Sequence, residues 1–129
     1  PAYTLQAMHC ATAEDHQRIQ QSIDAMEEAI RVGAQTSQHD IAFHRAILHS
    51  THNPMTIRVG ETLLQLIEAA LETSMRSLPE TALKDHKAIY KAFKAGDSAG
   101  IHAAIAVSSE SWETNLTYEG DSDLSAAPR

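Results

Sequence analysis

The strongest constraint on how this chain can fold is the punctuation of its apolar stripes. Large apolar residues recur every three or four positions, and local stop and start signals separate the runs. Thr12-Ala13-Glu14-Asp15 has the form of a capping box, an N-cap hydroxyl with an acid three residues on. Ile19, Ile23, Met26 and Ile30 then mark one helical stripe, and Gly33 ends it. Ser37-Gln38-His39-Asp40 reads as a second capping box, opening a shorter helix that runs to Ser50. Asn53-Pro54 pairs an N-cap with proline at the first helical position. After it, Val59, Leu63, Leu66, Ile67, Ala70 and Leu71 form a stripe ending near Met75. Ser77, Pro79 and Glu80 open the next helix, whose inner face is Leu83, His86, Ile89, Tyr90 and Phe93. Ala95-Gly96-Asp97 closes that helix and caps another, with Ile101, Ala104, Ile105, Ser108 and Trp112 facing inward.

The fold class this predicts is all-α, an antiparallel helical bundle of about six helices with the first truncated. Residues 2–9 have helical composition and begin abruptly, like the end of a helix whose start is missing. The bundle is expected over residues 1–118. The polar, small-residue tail at 119–129 is expected to be disordered. Strand-type alternation of Val, Ile and Thr is nearly absent, and there is no internal repeat.

Composition narrows the function classes. With 129 residues the chain fits one domain. Seventeen acidic residues against ten basic ones give a net charge of −7, with no Lys/Arg cluster. That argues against direct nucleic-acid binding by this chain, because such affinity comes largely from neutralised phosphates. No apolar run approaches a membrane span. The single cysteine, Cys10, cannot form an intrachain disulfide, which favours a cytoplasmic location. Cys10 itself reads as a small buried or idle thiol. Met26, Met55 and Met75 read as core or boundary filler.

Histidine is the oddity. There are eight, against two Phe, three Tyr and one Trp, and four of them fall between Ser37 and Pro54. Asp40 and His44 are four apart, about 40° around a helix from each other. A carboxylate and an imidazole at that spacing can ligate one divalent metal. Asp40 also suits a capping box, and an inward His44 also suits a hydrogen-bonded core position. His86 shifts the balance, because it lies on the inner stripe of another helix. Buried apart, each unpaired polar side chain costs about 1–3 kcal/mol. Meeting at one metal, or at one polar ligand, satisfies all three. His39 and His49 fall on other faces, His52 precedes an N-cap, His9 and His16 are expected in solvent, and His102 lies at a stripe edge.

The motifs DIAFH, HSTHNP and DHKAIYKAFKAGD, in that order and spacing, resemble the FCD effector domain of GntR regulators of the FadR subfamily. The resemblance runs from Leu5 to Trp112. It implies an antiparallel all-α bundle that binds a small carboxylic acid, often through a divalent metal such as zinc or nickel. It also implies a homodimer and a separate upstream winged-helix domain that binds DNA. The family's metal Asp and first His fall on Asp40 and His44, and its second His falls on His86. Its third His falls at position 108, where this chain has Ser108. The implied ligand-binding set is therefore Asp40, His44, His86 and Ser108. That set is either an open metal site or a metal-free pocket. LHSTHNP and LKDHKAIYKAFKAGD look most like the group that responds to galactonate and related sugar acids.

Two other classes compete. His39-Asp40 and Asp85-His86 superficially resemble the His-Asp pairs of HD-type metal-dependent phosphohydrolases. A purely structural bundle with satisfied core histidines is the other. The reading that unites most residues is an effector-binding and dimerisation domain without catalytic activity.

Overall fold

The computed structural model describes residues 3–74 and 78–107, with the side chains of 70–74 left aside. Five helices are α1 (Tyr3–Cys10), α2 (Ala13–Arg31), α3 (Ser37–His49), α4 (Pro54–Ser74) and α5 (Pro79–Ala95). A sixth, α6, covers residues 98–107. Among the described residues there is no strand. Short connections make α2, α3 and α4 antiparallel neighbours. Trp112, Met75, Ser77 and the tail at 119–129 lie outside the described residues.

The capping box at Thr12 forms as the sequence predicts. Asp15 N–H donates to Thr12 Oγ1 at 3.3 Å, and Thr12 N–H donates to Asp15 Oδ2 at 2.8 Å. Asp15 is also buried, and His52 Nε2 lies 2.6 Å from its Oδ2. His52 adopts a left-handed backbone with φ 51°, a conformation that disfavours any residue but glycine. In that conformation it ties the α3–α4 turn to the start of α2. Gly96, at φ 68°, ends α5 with an expected left-handed cap.

The second capping box does not form. Ser37 is already helical, Thr36 is the N-cap, and Thr36 makes no side-chain capping bond. Its carbonyl instead accepts from the backbone N–H groups of His39 and Asp40, both at 3.0 Å. The Asp40 carboxylate is thereby left for other partners.

The core joins Ala7 of α1, Ile19 and Ile23 of α2, Phe43 and Ile47 of α3, the Ile89–Phe93 face of α5, and Ile101 of α6. Met26 is buried as well. α3 is the central element, packed against α1, α2, α4 and α5. α4 leans on α3. The approach is close because Gly60 faces the fully buried Leu48, and a Cβ at Gly60 would fall 2.7 Å from Leu48 Cδ2. Arg45 of α3 adds an ion pair to Glu61 of α4 at 3.1 Å, and His49 Nε2 a hydrogen bond to it at 2.8 Å.

The α4 stripe corrects the sequence reading. Val59, Leu63, Leu66 and Ile67 do not face the bundle core but are exposed, as is Met55. Gly60 and Leu64 are the buried positions instead. The helical period is right, but the face turned inward is the one that holds the glycine. His16 is corrected too: it packs against Phe93 and its Nδ1 lies 3.2 Å from the Tyr90 hydroxyl. Cys10 is exposed, which leaves the idle thiol of the two alternatives.

Two expected outcomes follow from this packing. Gly60→Ala should destabilise the domain by about 1–3 kcal/mol, although alanine normally favours a helix interior. Thermal unfolding checks it, and an unchanged or higher Tm would contradict the Leu48 contact. Burial raises the Asp15 carboxyl, but hydrogen bonds from the Thr12 backbone, His52 and the Thr12 hydroxyl outweigh it, so the pKa is lowered. A lowered carboxyl contributes stability above its unfolded pKa and loses it as pH falls through the folded one. Asp15→Asn should therefore cost about 1–2 kcal/mol at pH 7. In denaturation series the gap to the wild type should shrink as pH drops below about 4.

Candidate functional site

The three residues singled out in the sequence meet. Asp40 lies in the first turn of α3 and His44 one turn further on, on the same face. His86 lies on the inner face of α5. His86 Nε2 is 2.8 Å from Asp40 Oδ1, and His44 Nε2 is 3.3 Å from the same oxygen. The two imidazoles stand at 90° with centroids 5.1 Å apart. Asp40 and His86 are 13% and 4% exposed, whereas His44 keeps 28%, so the site is open on the His44 side.

Phe43 completes the setting. Its ring stacks on His86 at 4.0 Å and 12°. This role went unread in the sequence, although Phe43 is the aromatic of DIAFH and precedes His44 directly. The stack holds the His86 ring plane and covers one of its faces. His86 Nδ1 is buried and has no hydrogen-bond partner among the described residues.

Electrostatics distinguish the members. Burial raises the Asp40 carboxyl, but hydrogen bonds from His44 and His86 and their charges more than offset this, so Asp40 sits well below the usual carboxylate range. Burial pushes His86 below its ordinary value, against the opposing pull of Asp40. At neutral pH Asp40 is thus ionised and His86 neutral. A carboxylate charge sits inside the bundle, met by imidazole nitrogen.

That arrangement suits a cation. One ligand atom from each of Asp40, His44 and His86 lies within 4.8 Å of the others. Ligand atoms about 2.0–2.2 Å from one tetrahedral ion lie about 3.3–3.6 Å apart, so small side-chain adjustments bring these three onto one ion. Two nitrogens and one carboxylate oxygen form a donor set for a borderline divalent metal such as zinc or nickel. Three protein ligands leave further positions for water or ligand oxygens. Ser108, the fourth expected ligand-binding position, lies outside the described residues.

The other histidines do not join this site. His39 and His49 line a separate groove of about 520 Å³ between α2 and α3, together with Arg18, Ser22, Ala42 and Arg45. His39 therefore faces away from the Asp40 site, and the HD-type pairing of His39-Asp40 with Asp85-His86 does not assemble. His9 and His102 are exposed.

A small all-α bundle with a buried carboxylate–imidazole cluster across two helices is the class these features define. Comparison with known proteins is more specific. The sequence profile of the FCD domain matches residues 1–108. The chain is also similar to the galactonate operon transcriptional repressor of Escherichia coli (strain K12), at 28% identity over 101 residues. The aligned part is 75% of this chain and 44% of the repressor, so the chain spans less than half of that relative's length. The chain belongs to the FCD domain family. The relative is named as a transcriptional repressor and not as an enzyme.

The geometry yields a stability outcome independent of any ligand. In chelator-treated protein, Asp40→Ala should cost about 1.5–3 kcal/mol, because it strips a charged acceptor from two imidazoles. Asp40→Asn, which keeps an acceptor oxygen, should cost less. Denaturant titration that finds Asp40→Ala neutral would show that the cluster does not hold α3 to α5.

Proposed function

We propose that this chain is the effector-binding and dimerisation domain of a GntR-type transcriptional regulator, sensing a small carboxylic acid of the aldonic sugar-acid kind. The single observation that carries this reading is the convergence of Asp40, His44 and His86 on one point inside the bundle. In this reading the three residues hold a zinc or nickel ion, which when bound supplies positive charge and open coordination positions for an acid's carboxylate. Asp40 neutralises the ion. His44 forms the exposed wall through which an acid enters. His86, fixed by Phe43, forms the floor. Galactonate is the first effector to try because the similar repressor is named for the galactonate operon.

The sensing domain spans 1–118 and works as a cytoplasmic homodimer. DNA is read by a winged-helix domain upstream. Among the described residues no helix is long and apolar enough to cross a membrane. An effector that binds one packing of the bundle better than another shifts the equilibrium between them, and with it the spacing of the attached DNA-binding domains.

Metal content by plasma mass spectrometry, with His86→Ala as control, is the first test. The expected outcome is about one zinc or nickel ion per chain, lost in the control. Galactonate should then raise the Tm of the loaded domain by several degrees, and neutral galactose should not. Absence of metal combined with no stabilisation by any sugar acid would overturn the proposal. So would His44→Leu and His86→Leu variants that are both neutral and still respond to galactonate.

A further inference from the structure

The groove of about 520 Å³ between α2 and α3 takes no part in the Asp40 site, yet its lining is strongly biased in charge. Two arginines and two histidines line it and no Asp or Glu does, in a chain whose net charge is −7. The grouping is made by the fold, because Arg18 lies on α2 while Arg45 and His49 lie one turn apart on α3. The two helices run antiparallel, so the start of α2 meets the end of α3. Arg18, Arg45 and His49 therefore share one end of the groove. His39 stands towards the other end, ten residues from His49 and about 15 Å away along α3. Between the two ends the floor is made of small side chains, Ala25, Ala42 and Ala46 among them, which keep it open.

The cationic end has hydrogen-bond donors to spare. Arg45 meets Glu61 through Nε alone, at 3.1 and 3.3 Å, and neither of its terminal nitrogens has a partner among the described residues. Arg18 reaches Asp15 and Glu14 only at 3.4 and 3.9 Å, and its side chain is 61% exposed. His49 uses Nε2 on Glu61, and its Nδ1 has no partner among the described residues. Guanidinium groups bind oxyanions through paired N–H donors in a fixed fork. We propose that this groove binds a small phosphate monoester, its phosphate between Arg18, Arg45 and His49 and its organic part along the alanine floor towards His39. A phosphate monoester carries about −1.5 to −2 at neutral pH and offers three terminal oxygens, which two guanidinium groups and an imidazole match. A carboxylate, with one charge and two oxygens, leaves one arginine unmatched. The groove's volume falls within the range of small-molecule sites, about 300–1,000 Å³. The groove lies on a different face of α3 from Asp40 and His44, and the inference does not rest on the sugar-acid reading of that site.

The test is calorimetric titration of the metal-free full chain with glycerol 3-phosphate. Stripping metal keeps the Asp40 site from capturing the phosphate, and sodium chloride at about 0.15 M screens loose surface pairing. Saturable binding is expected, weaker for inorganic phosphate, absent for glycerol, and about ten-fold or more weaker for glycerate, the carboxylate counterpart. Arg18→Gln and Arg45→Gln should each weaken binding about ten-fold or more, and Arg45→Lys, which keeps the charge but loses the fork, should fall between. Arg45→Gln also gives up the Glu61 contact, so Tm and circular dichroism accompany each variant. Ala42→Leu touches no charge but narrows the groove, and it should weaken glycerol 3-phosphate more than inorganic phosphate. Amide shifts in NMR spectra should gather at Ser22, Ala25, Ala42 and Ala46. Lack of saturable binding, or binding indifferent to both arginine variants, would overturn the proposal. Indifference to Ala42→Leu would place the anion on exposed charges outside the groove, and glycerate binding as well as the phosphate would remove the phosphate assignment; either outcome sinks it. Shifts centred on His86 and Ile89 would place the ligand at the Asp40 site and sink it equally.

Discussion

One carboxylate organises the centre of this bundle. Asp40 is ionised and largely enclosed, and both of its imidazole partners contact the same oxygen. A buried charge is tolerable only when its hydrogen-bonding capacity is met. Here that requirement forces α5 to present His86 at the first turn of α3 and forces His44 onto the same face. Phe43 then covers His86, and Ile41 and Ile47 fall into the core on either side by helical period. The arrangement places charge and lining at the mouth of the site while the rest of the interior stays apolar. Such a centre suits a sensor, because a ligand that replaces or joins these contacts acts directly on how two helices meet.

Imidazoles also serve as polar stitches elsewhere. His49 joins α3 to Glu61 of α4, His52 joins the α3–α4 turn to Asp15 of α2, and His16 joins α2 to Tyr90 of α5. In a chain with few aromatics, histidine supplies flat, packable rings that also carry a hydrogen bond. The excess of histidine is therefore spread through the whole bundle, and only His44 and His86 belong to the candidate site.

Much of this was legible in the sequence because its signals are local. The Thr12 capping box, Asn53-Pro54 and Gly96 depend on backbone chemistry within a few residues, and each appears where expected. The Asp40, His44 and His86 cluster was legible because helical spacing fixes which residues share a face. What stayed hidden depends on contacts between elements. Ser37 and Asp40 fit a capping box on paper, but Asp40 has stronger partners on another helix. The period of α4 was clear, yet nothing local shows that Gly60 selects the inward face by letting Leu48 approach. His16 looked solvated because Tyr90 and Phe93 lie more than seventy residues away.

The single-sided support of α4 gives the bundle an uneven local stability. The free energy of opening a segment follows the apolar contacts and protected hydrogen bonds it must give up. α3 is surrounded and would open only with the whole fold. α4, resting mainly on Leu48 and the polar contacts to Glu61, would open at lower cost and exchange its amide hydrogens sooner. The helix that α4 rests on also carries Asp40 and His44. A shift of α3 at the site therefore reaches the least anchored helix with few intervening contacts. Rigid chemistry at one end of the fold and a loosely held element beside it are joined through the same thirteen-residue helix.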